Sequence, residues 1–344
     1  MPFPSITSIY TQFFPPPSSL TESTLPPQTD KTFLITGASS GIGYELARIL
    51  YGAGGTVYIL TRSEPNALSA IARIKALYDS NRPPCHQAGE LHYIHCDLAD
   101  LESVRSAATQ FLEQVGKDGR LDVLFNNAGV GALKGAGLTK QGHEHHFGTN
   151  LLGGFLLTKL LRGILRRTAA REKPGAVRVV WPASCMVDMG TPEGGIRKGF
   201  LDGTVTVKNP NELYSSSKAG CWFVAAEGAR RYGTEDGVVH VAGNPGNYVT
   251  NIWRDTPAWL FWLVRPILRD QVHGAETYLW MGFAKEVTLE EAENGRYAIC
   301  DGRWHPGQRA DLLLAVRSVE DGGSGRARQC WEWCEERTKE YTLE

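Results

Sequence analysis

A tyrosine and a lysine four positions apart, Tyr214 and Lys218 in the run Tyr-Ser-Ser-Ser-Lys, are the residues best suited to acid–base chemistry. Side chains at positions i and i+4 of a helix share one face, so the spacing predicts that the Lys218 ammonium stands beside the Tyr214 phenol. A free phenol has a pKa of about 10, and a nearby positive charge favours the phenolate. A pKa lowered in this way suits a general acid or base near neutral pH. The alternative is a Tyr/Lys pair on an exposed helix face.

Two further polar residues stand where they could assist that chemistry. Ser184 ends a predicted strand, and a hydroxyl at the carboxyl end of a strand can hydrogen-bond a substrate oxygen; its alternative role is a helix or loop cap. Asn150 lies inside a predicted long helix, where asparagine is a mediocre helix former, so we expect it to bind a water or to distort the helix. Three nearby histidines lack the i, i+4 spacing of a metal pair and are predicted not to be ligands: His143, His145 and His146.

The element that must position these residues is a glycine-rich turn between a strand and a helix, Thr36-Gly37-Ala38-Ser39-Ser40-Gly41-Ile42-Gly43. Gly37 and Gly41 let the backbone bend and approach a pyrophosphate, and Gly43 lets the helix pack closely on the strand. The helix N-terminus offers free N–H groups and the positive end of its dipole to the phosphates. The turn therefore predicts a dinucleotide site, whose positive nicotinamide ring would lower the pKa of Tyr214 further. The alternative is a tight structural turn.

Residues at three other strand ends complete the predicted cofactor site. Arg62 lies nineteen residues after Gly43, at a strand end without an acid, so its guanidinium favours the 2′-phosphate of NADP over NAD; otherwise it is a solvated surface residue. Asp97, with Leu98 beside it, is placed to accept a hydrogen bond from the adenine amino group or to cap the helix that starts at Asp100. The small residues of Asn126-Asn127-Ala128-Gly129 let a flat cofactor lie close to the backbone, or form an Asn-rich turn.

The order of apolar segments predicts the architecture. Strand-like and helix-like segments alternate from residue 32 onward, which predicts a Rossmann-type α/β fold: a doubly wound parallel sheet of about seven strands with helices on both faces. The fourth strand is predicted over Leu121–Phe125, a long helix from Lys140 to Arg167, and a final helix from Gln329 to Tyr341. We expect an irregular extension over 1–30, lying on the body through aromatic residues or loose, then one domain over 31–320 with a substrate lid around 247–285, and a linker and helix over 321–344.

Bulk properties exclude several classes of function. The 344 residues carry a net charge of −1, which does not call for nucleic acid or an anionic membrane surface as a partner. No apolar run reaches the ~20 residues of a membrane span. The first thirty residues lack Lys and Arg, so no secretory or mitochondrial leader is expected. The seven scattered cysteines are predicted to be free thiols in a reducing compartment, and the protein to be cytoplasmic.

Taken together and in this order, these motifs resemble the short-chain dehydrogenase/reductase family from about Lys31 to Cys300. The stretch from His143 to Thr158 looks like its retinol-dehydrogenase-like branch, and the tail from Asp321 resembles members from filamentous fungi, often in specialised metabolism. One departure is Pro182-Ala183, where family members often carry Val and Ser.

The resemblance implies roles for the site residues. Tyr214 would exchange a proton with the substrate oxygen, and Lys218 would hold the nicotinamide ribose and lower the pKa of Tyr214. Ser184 would orient and polarise the carbonyl, and Asn150 would hold a water that links Lys218 to solvent. The remaining implied cofactor contacts are Pro245, Gly246 and Val249 along the nicotinamide and Thr250 near its phosphates.

The reaction expected from this resemblance is NADPH-dependent reduction of a ketone or aldehyde on a hydrophobic small molecule, or the reverse alcohol oxidation. The hydrophobic substrate is inferred from an aromatic cluster that would either line a pocket or pack in the core: Trp253, Trp259, Phe261 and Trp262. Two alternatives are a cofactor-binding protein without redox turnover, and a protein that guides a cyclisation coupled to reduction. A monomer and a homodimer built on the long helices are both compatible with the sequence.

Overall fold

The computed structural model describes residues 6–80, 87–133, 135–248, 262, 265 and 268–342, and its centre is one sheet of eight strands. The strands are β1 (Thr32–Thr36), β2 (Thr56–Thr61), β3 (Glu90–His95), β4 (Val123–Phe125), β5 (Val177–Pro182), β6 (Val238–Gly243), β7 (Tyr297–Ile299) and β8 (Arg303–Trp304). They are ordered β3-β2-β1-β4-β5-β6-β7-β8; the first seven run parallel and β8 is antiparallel. The predicted fold class is confirmed. The two-residue β8 was not predicted, because so short a strand has no measurable alternation.

Helices cover both faces of this sheet. They are α1 (Ile6–Phe13), α2 (Gly41–Gly52), α3 (Glu64–Ser80), α4 (Leu101–Val115), α5 (Gly153–Ala169), α6 (Met186–Gly190), α7 (Pro210–Gly228), α8 (Thr234–Asp236), α9 (Val272–Phe283), α10 (Leu289–Glu293), α11 (Ala310–Val316) and α12 (Arg326–Thr338). Two π-helical segments, Phe147–Leu152 and Ala229–Gly233, precede α5 and follow α7, and a 3₁₀ turn covers Lys339–Tyr341. None of the helices in the described ranges has the length and hydropathy needed to cross a bilayer.

The pleat of the strands divides the core into two layers. Along β1, Leu34 faces a cluster formed with α4, α5, α7 and α12, whereas Phe33 and Ile35 face a cluster formed with α2, α3 and α9. Successive side chains of a strand point to opposite faces, so a strand covered on both sides must be apolar throughout. The continuous apolar runs that predicted buried strands have this origin.

The helix predicted to begin at Lys140 begins later. Leu138 and Glu144 form an antiparallel bridge, so the chain between them folds back on itself instead of entering a helix. A Glu144 carboxylate oxygen then accepts a hydrogen bond from the backbone N–H of Phe147 at 2.9 Å, at the point where the π-helical segment starts. Similarly, the fourth strand is shorter than predicted and begins at Val123.

The amino-terminal segment, predicted to be irregular, contains the helix α1. Of the three aromatic residues expected to contact the body, Tyr10 and Phe14 are 62 % and 58 % exposed, and Phe13 is half-buried. Instead the polar residues Ser8 and Gln12 are buried and hydrogen-bond the protein body. The buried side chains Ser8 and Gln12 are polar, so the pattern of apolar residues in this segment does not indicate the contact.

The lid predicted around 247–285 overlaps a helix that belongs to the core. Most of α9 is buried, and a Cβ placed on Gly274 would lie 2.8 Å from side-chain atoms of Ile42 and Tyr248. A helix packed this closely on α2 supports the sheet. Five residues singled out in the predicted lid and substrate cluster lie outside the described residues: Val249, Thr250, Trp253, Trp259 and Phe261. Trp262 is 72 % exposed. The other predicted domain boundaries stay predictions.

Candidate active site

The glycine-rich turn joins β1 to α2 and lies against the segment that follows β4. Gly37 and Gly41 have φ angles of 69° and 63°, in the left-handed region that favours glycine. A Cβ on Gly37 would lie 2.9 Å from the Cβ of Ala128, and one on Gly43 would collide with the side-chain nitrogen of Asn127. Close approach to this neighbouring segment therefore requires glycine at both positions.

The turn stands at the point where the strand order reverses, between β1 and β4. The Asn127 side-chain nitrogen donates to the carbonyl of Thr36 at 2.9 Å, and the backbone N–H of Ala128 donates to the Thr36 hydroxyl at 2.8 Å. The Asn127 side-chain oxygen accepts from the Tyr278 hydroxyl at 3.0 Å. In open α/β sheets, ligands bind in the crevice outside the carboxyl ends of the strands at such a reversal.

The first turn of α2 opens on this crevice, with Ser39 and Ser40 before it and Ile42 within it. The first amides of a helix have no acceptor within the helix, and they can bind phosphate oxygens. Gly37 and Gly41 adopt the left-handed conformation that turns the chain into the helix and directs its first amides to the crevice. These residues fit a dinucleotide.

The structure brings the three predicted acid–base residues together beside this crevice. Tyr214 and Lys218 lie one turn apart on α7, and Ser184 follows the carboxyl end of β5. The Ser184 side chain lies close enough to the Tyr214 phenol to lower its pKa. The Lys218 ammonium donates to the carbonyl oxygen of Pro182 at 3.1 Å. Tyr214 and Lys218 are buried, whereas Ser184 is half-buried. These three side chains are therefore most accessible at Ser184.

Asn150 adjoins the same group through Gly129. A Cβ placed on Gly129 would lie 3.0 Å from the Asn150 side-chain oxygen and 3.2 Å from the Lys218 nitrogen. The Asn150 amide is fixed by hydrogen bonds to both backbone groups of Val130, at 2.7 and 3.1 Å, and to the Ser217 hydroxyl at 3.0 Å. Asn150 lies in the π-helical segment Phe147–Leu152, which agrees with the predicted distortion. That it holds a water stays a prediction.

Burial controls the protonation of the group. It raises the pKa of Tyr214 to about 12, although the nearby Ser184 side chain acts in the opposite direction. Burial also lowers the pKa of Lys218. The pKa of Tyr214 was predicted to fall, and in the protein alone it moves the other way, because the loss of solvent around the phenol dominates. At neutral pH Tyr214 therefore holds its proton.

Arg62 and Asp97 lie at the other end of the crevice, after β2 and β3. Arg62 is exposed and makes no hydrogen bond or ion pair with any described residue. The charges of Arg62 and Asp97 both act on the pKa of His145, so the three side chains are neighbours. An unpaired guanidinium at this strand end is available to an anionic group.

The alternative reading of Asp97 as a helix cap is wrong. The cap of α4 is Asp100, whose carboxylate accepts from the backbone N–H of Glu102 at 3.1 Å. Asp97 accepts from the N–H of Ala99 at 3.0 Å within its own loop. Leu98 is buried, and its backbone and side chain lie directly against Gly153.

The segment after β6 forms the opposite wall. Gly246 has a φ of 121°, and its N–H donates to the Asn244 side-chain oxygen at 3.0 Å. The carbonyl of Pro245 accepts from the hydroxyls of Tyr248, at 2.6 Å, and Thr277, at 3.0 Å. Pro245 and Gly246 are thus held in place, while Val249 and Thr250 lie beyond the described part of this segment.

Two tyrosines that support the site were not found from the sequence. The Tyr297 hydroxyl donates to the carbonyl of Ser184 at 3.0 Å and accepts from its N–H at 3.2 Å, which fixes the backbone of the serine. The Tyr278 hydroxyl donates one hydrogen bond to the Asn127 side-chain oxygen and so fixes that side chain. These pairs are separated by 113 and 151 residues, so no local pattern indicates them.

A doubly wound sheet with a glycine turn at its reversal point, and a tyrosine, lysine and serine beside the crevice, defines a dinucleotide-dependent oxidoreductase. The profile described as short chain dehydrogenase matches residues 31–180. The chain is 38 % identical over 340 residues to Short-chain dehydrogenase/reductase bet4 of Neocamarosporium betae, an alignment that covers 98 % of this chain and 94 % of that protein. The chain belongs to the short-chain dehydrogenase/reductase family, as the resemblance predicted.

Two solved structures share the fold. One is the 3-ketoacyl-(acyl-carrier-protein) reductase from Brucella melitensis complexed with NADH, at 21 % identity and a TM-score of 0.56, covering 80 % of this chain and 98 % of that one. The other is the L-sorbose reductase from Gluconobacter frateurii complexed with NADPH and L-sorbose, at 18 % identity and a TM-score of 0.55, covering 76 % and 92 %. By its family, this protein is an oxidoreductase that works with a nicotinamide dinucleotide on a small-molecule substrate.

Proposed function

We propose that this protein uses NADPH to reduce a ketone or aldehyde on a hydrophobic small molecule, or runs the reverse alcohol oxidation. The observation that carries the proposal is the grouping of Tyr214, Ser184 and Lys218 at the carboxyl end of the sheet. A protonated phenol and a hydroxyl that share one approach side suit a carbonyl oxygen, which has two lone pairs to accept from them.

Each residue of the site has its own role in the proposed reaction. NADPH, when bound, supplies the hydride that forms the new C–H bond. Tyr214 donates its proton to the carbonyl oxygen, so that a carbonyl becomes an alcohol as the cofactor is oxidised. Ser184 donates a hydrogen bond to the same oxygen and places it against the phenol. The Lys218 ammonium, which lies next to Gly129, would hold the nicotinamide ribose, as the family resemblance implies. Tyr297 keeps the Ser184 backbone in register with the phenol.

The preference for NADPH rests on Arg62. It is the charged side chain that directly follows β2, it is exposed, and it has no partner among the described residues. A guanidinium binds phosphate through paired hydrogen bonds, and NADH lacks the 2′-phosphate.

The other finer proposals rest on separate observations. The aromatic residues between Trp253 and Trp262 support a hydrophobic substrate. The six cysteines in the described ranges are free and buried, which supports a cytoplasmic location. Helix α12 covers α7, one of the long helices on which a family homodimer would be built, and this supports a monomer.

The test is the Tyr214→Phe variant, assayed for NADPH oxidation across a panel of aryl and alkyl ketones and aldehydes. We expect turnover to fall by roughly 10²- to 10⁴-fold, the usual contribution of a positioned general acid, with NADPH binding retained in a fluorescence titration. The matched control is Tyr58→Phe, which removes a buried hydroxyl from β2 far from the crevice and should leave turnover unchanged. Equal turnover in wild type and Tyr214→Phe would remove Tyr214 from the mechanism.

A further inference from the structure

Three side chains that can bind a metal ion meet between the start of α9 and the turn that joins β7 to β8. They are His273 and Glu276 on α9 and Asp301 in the turn. Positions i and i+3 of a helix share one face, so α9 presents the imidazole and the Glu276 carboxylate side by side. Within the described ranges, no other group of three His, Cys, Asp or Glu side chains comes as close together.

The distances between the ligand atoms suit a single ion. His273 Nδ1 lies 2.9 Å from Glu276 Oε2 and 4.0 Å from Asp301 Oδ1, and the ligand atoms of the three residues all lie within 4.8 Å of one another. Three atoms this close share a point that is within about 2.8 Å of each, and Zn²⁺ binds nitrogen and carboxylate oxygen at about 2.0–2.2 Å. Shifts of roughly half an ångström therefore bring all three atoms into the coordination shell of one ion.

The carboxylate of Asp301 supplies the observation that points to a cation. Its side chain is fully buried, and its Oδ1 has no hydrogen-bond partner among the described residues. Oδ1 is the oxygen that faces the His273 imidazole, at 4.0 Å, which is too long for a hydrogen bond. The unpartnered atom therefore points into the group of three ligands. Buried charges in proteins are paired or coordinate metals, so a cation is the partner that this oxygen lacks.

The neighbouring arginines leave room for such a cation. Arg269 forms an ion pair with Oδ2 of Asp301 and so leaves Oδ1 to the group of three ligands. A carboxylate that binds a metal is commonly hydrogen-bonded in this way by a second partner. Arg303 acts more weakly on Asp301 and donates instead to the carbonyl of Thr11. Because Glu276 and Asp301 bring two negative charges, the contact with Arg269 balances only one of them.

The three ligands lie behind the wall of the crevice and apart from the acid–base residues. The backbone N–H of Asp301 donates to the Thr277 hydroxyl at 2.9 Å, and that hydroxyl lies 3.0 Å from the carbonyl oxygen of Pro245, which it can donate to. The His273 side chain is 36 % exposed, so an ion has access from solvent and water can complete its coordination. A bound ion would thus sit at the surface and connect through Asp301 to the wall segment at Pro245.

We propose that His273, Glu276 and Asp301 bind one divalent ion of the first transition series or zinc, with water in the remaining positions. One imidazole and two carboxylates suit such an ion better than Mg²⁺ or Ca²⁺, which prefer oxygen ligands alone. The ion joins α9 to the turn between β7 and β8. It takes no part in proton or hydride transfer, because none of its ligands belongs to the acid–base group.

Calorimetric titration of the tag-free, chelator-treated full chain with zinc chloride tests the proposal without relying on activity. We expect one saturable site, and a melting temperature raised by about 4 °C when free Zn²⁺ is a hundred times its Kd. His273→Ala and Glu276→Gln should each weaken Zn²⁺ binding by roughly tenfold or more and reduce the thermal shift accordingly. The matched control is His92→Ala, which should bind as wild type. It removes an imidazole of similar exposure that lies 3.0 Å from the Glu90 carboxylate but belongs to no group of three ligands in the described ranges.

NADPH titration and the melting temperature without metal confirm that each variant is folded. Mg²⁺ at the same concentration should not displace Zn²⁺. The proposal is overturned if Zn²⁺ shows no saturable site, which would mean that His273 serves only its ion pair with Glu276. It is equally overturned if both variants bind Zn²⁺ as wild type does, since the ion would then lie on other side chains, or if Mg²⁺ competes on equal terms, since the class of metal would then be wrong.

Discussion

The buried glutamine of α1 is expected to control the geometry of the active site from the amino-terminal extension. The Gln12 side-chain nitrogen donates to the Asp188 carboxylate at 2.9 Å, and its oxygen accepts from the Asn244 side-chain nitrogen at 2.9 Å. Asp188 lies on α6, four residues after Ser184, and Asn244 holds the N–H of Gly246. One side chain therefore ties together the two segments that flank the crevice.

Gln12→Ala removes both hydrogen bonds and leaves buried partners behind. Asp188 keeps the hydrogen bond to His305 at 3.1 Å, but the Asn244 side-chain nitrogen loses its partner. An unsatisfied buried group costs about 1–3 kcal/mol and a lost hydrogen bond about 0.5–1.5 kcal/mol, so the unpaired Asn244 amide and the lost bond to Asp188 together should lower the free energy of unfolding by about 3 kcal/mol. Displacing the walls of the crevice by a fraction of an ångström should also lower kcat/KM for a carbonyl substrate by roughly ten- to a hundredfold.

Guanidinium unfolding and steady-state kinetics, recorded well below the melting temperature, separate the two effects. Gln12→Leu fills the space without hydrogen bonding and should resemble Gln12→Ala. Tyr10→Ala, on the exposed side of the same helix, is the matched control and should change neither quantity. The reasoning is refuted if Gln12→Leu restores wild-type stability and kcat/KM, because packing alone would then explain the contact.

Three further outcomes are expected. Arg62→Ala should weaken NADPH binding by roughly ten- to a hundredfold with little change for NADH, measured by fluorescence titration; an unchanged NADPH/NADH ratio would contradict the phosphate contact. The full chain should sediment as a monomer, and a chain ending at residue 320 should dimerise or aggregate because removing α12 uncovers α7; a full-length dimer would contradict this. Burial lowers the pKa of His240 from 6.5 to about 4, so its contribution to stability is present above pH 6.5 and is lost, by about 3 kcal/mol, as the pH falls to 4. Urea unfolding at stepped pH should show this loss in wild type and not in His240→Gln, and equal pH slopes would exclude it.

The fold could be predicted from the sequence because the residue patterns that indicate its strands and helices are local. Buried parallel strands are continuously apolar, and the glycine turn identifies β1 and α2 without any long-range knowledge. Helix α1 could not be predicted in the same way, since its buried residues Ser8 and Gln12 are polar and their partners lie more than 170 residues away. A segment held by such long-range polar contacts has the same sequence pattern as an exposed polar segment.

The site was predictable for the residues that carry chemistry and not for those that hold them. Tyr214 and Lys218 share a local spacing, whereas Tyr297 reaches Ser184 from another strand and has no local signature. The direction of the Tyr214 pKa in the protein without cofactor could not be predicted, for a related reason. The helix spacing indicates the charged neighbour, but the loss of solvent that dominates the pKa depends on how α6, α7 and the sheet enclose the phenol.

That enclosure bears on the direction of the proposed reaction. Burial raises the pKa of Tyr214 and lowers that of Lys218, so in both residues it favours the uncharged form. A phenol that keeps its proton is ready to act as an acid, which reduction of a carbonyl needs at its oxygen. Oxidation of an alcohol needs the phenolate instead, and Tyr214 could reach it at neutral pH only beside an added positive charge, such as that of an oxidised nicotinamide ring. Without cofactor the site keeps Tyr214 protonated, and the phenolate that alcohol oxidation needs depends on charge that the oxidised cofactor supplies.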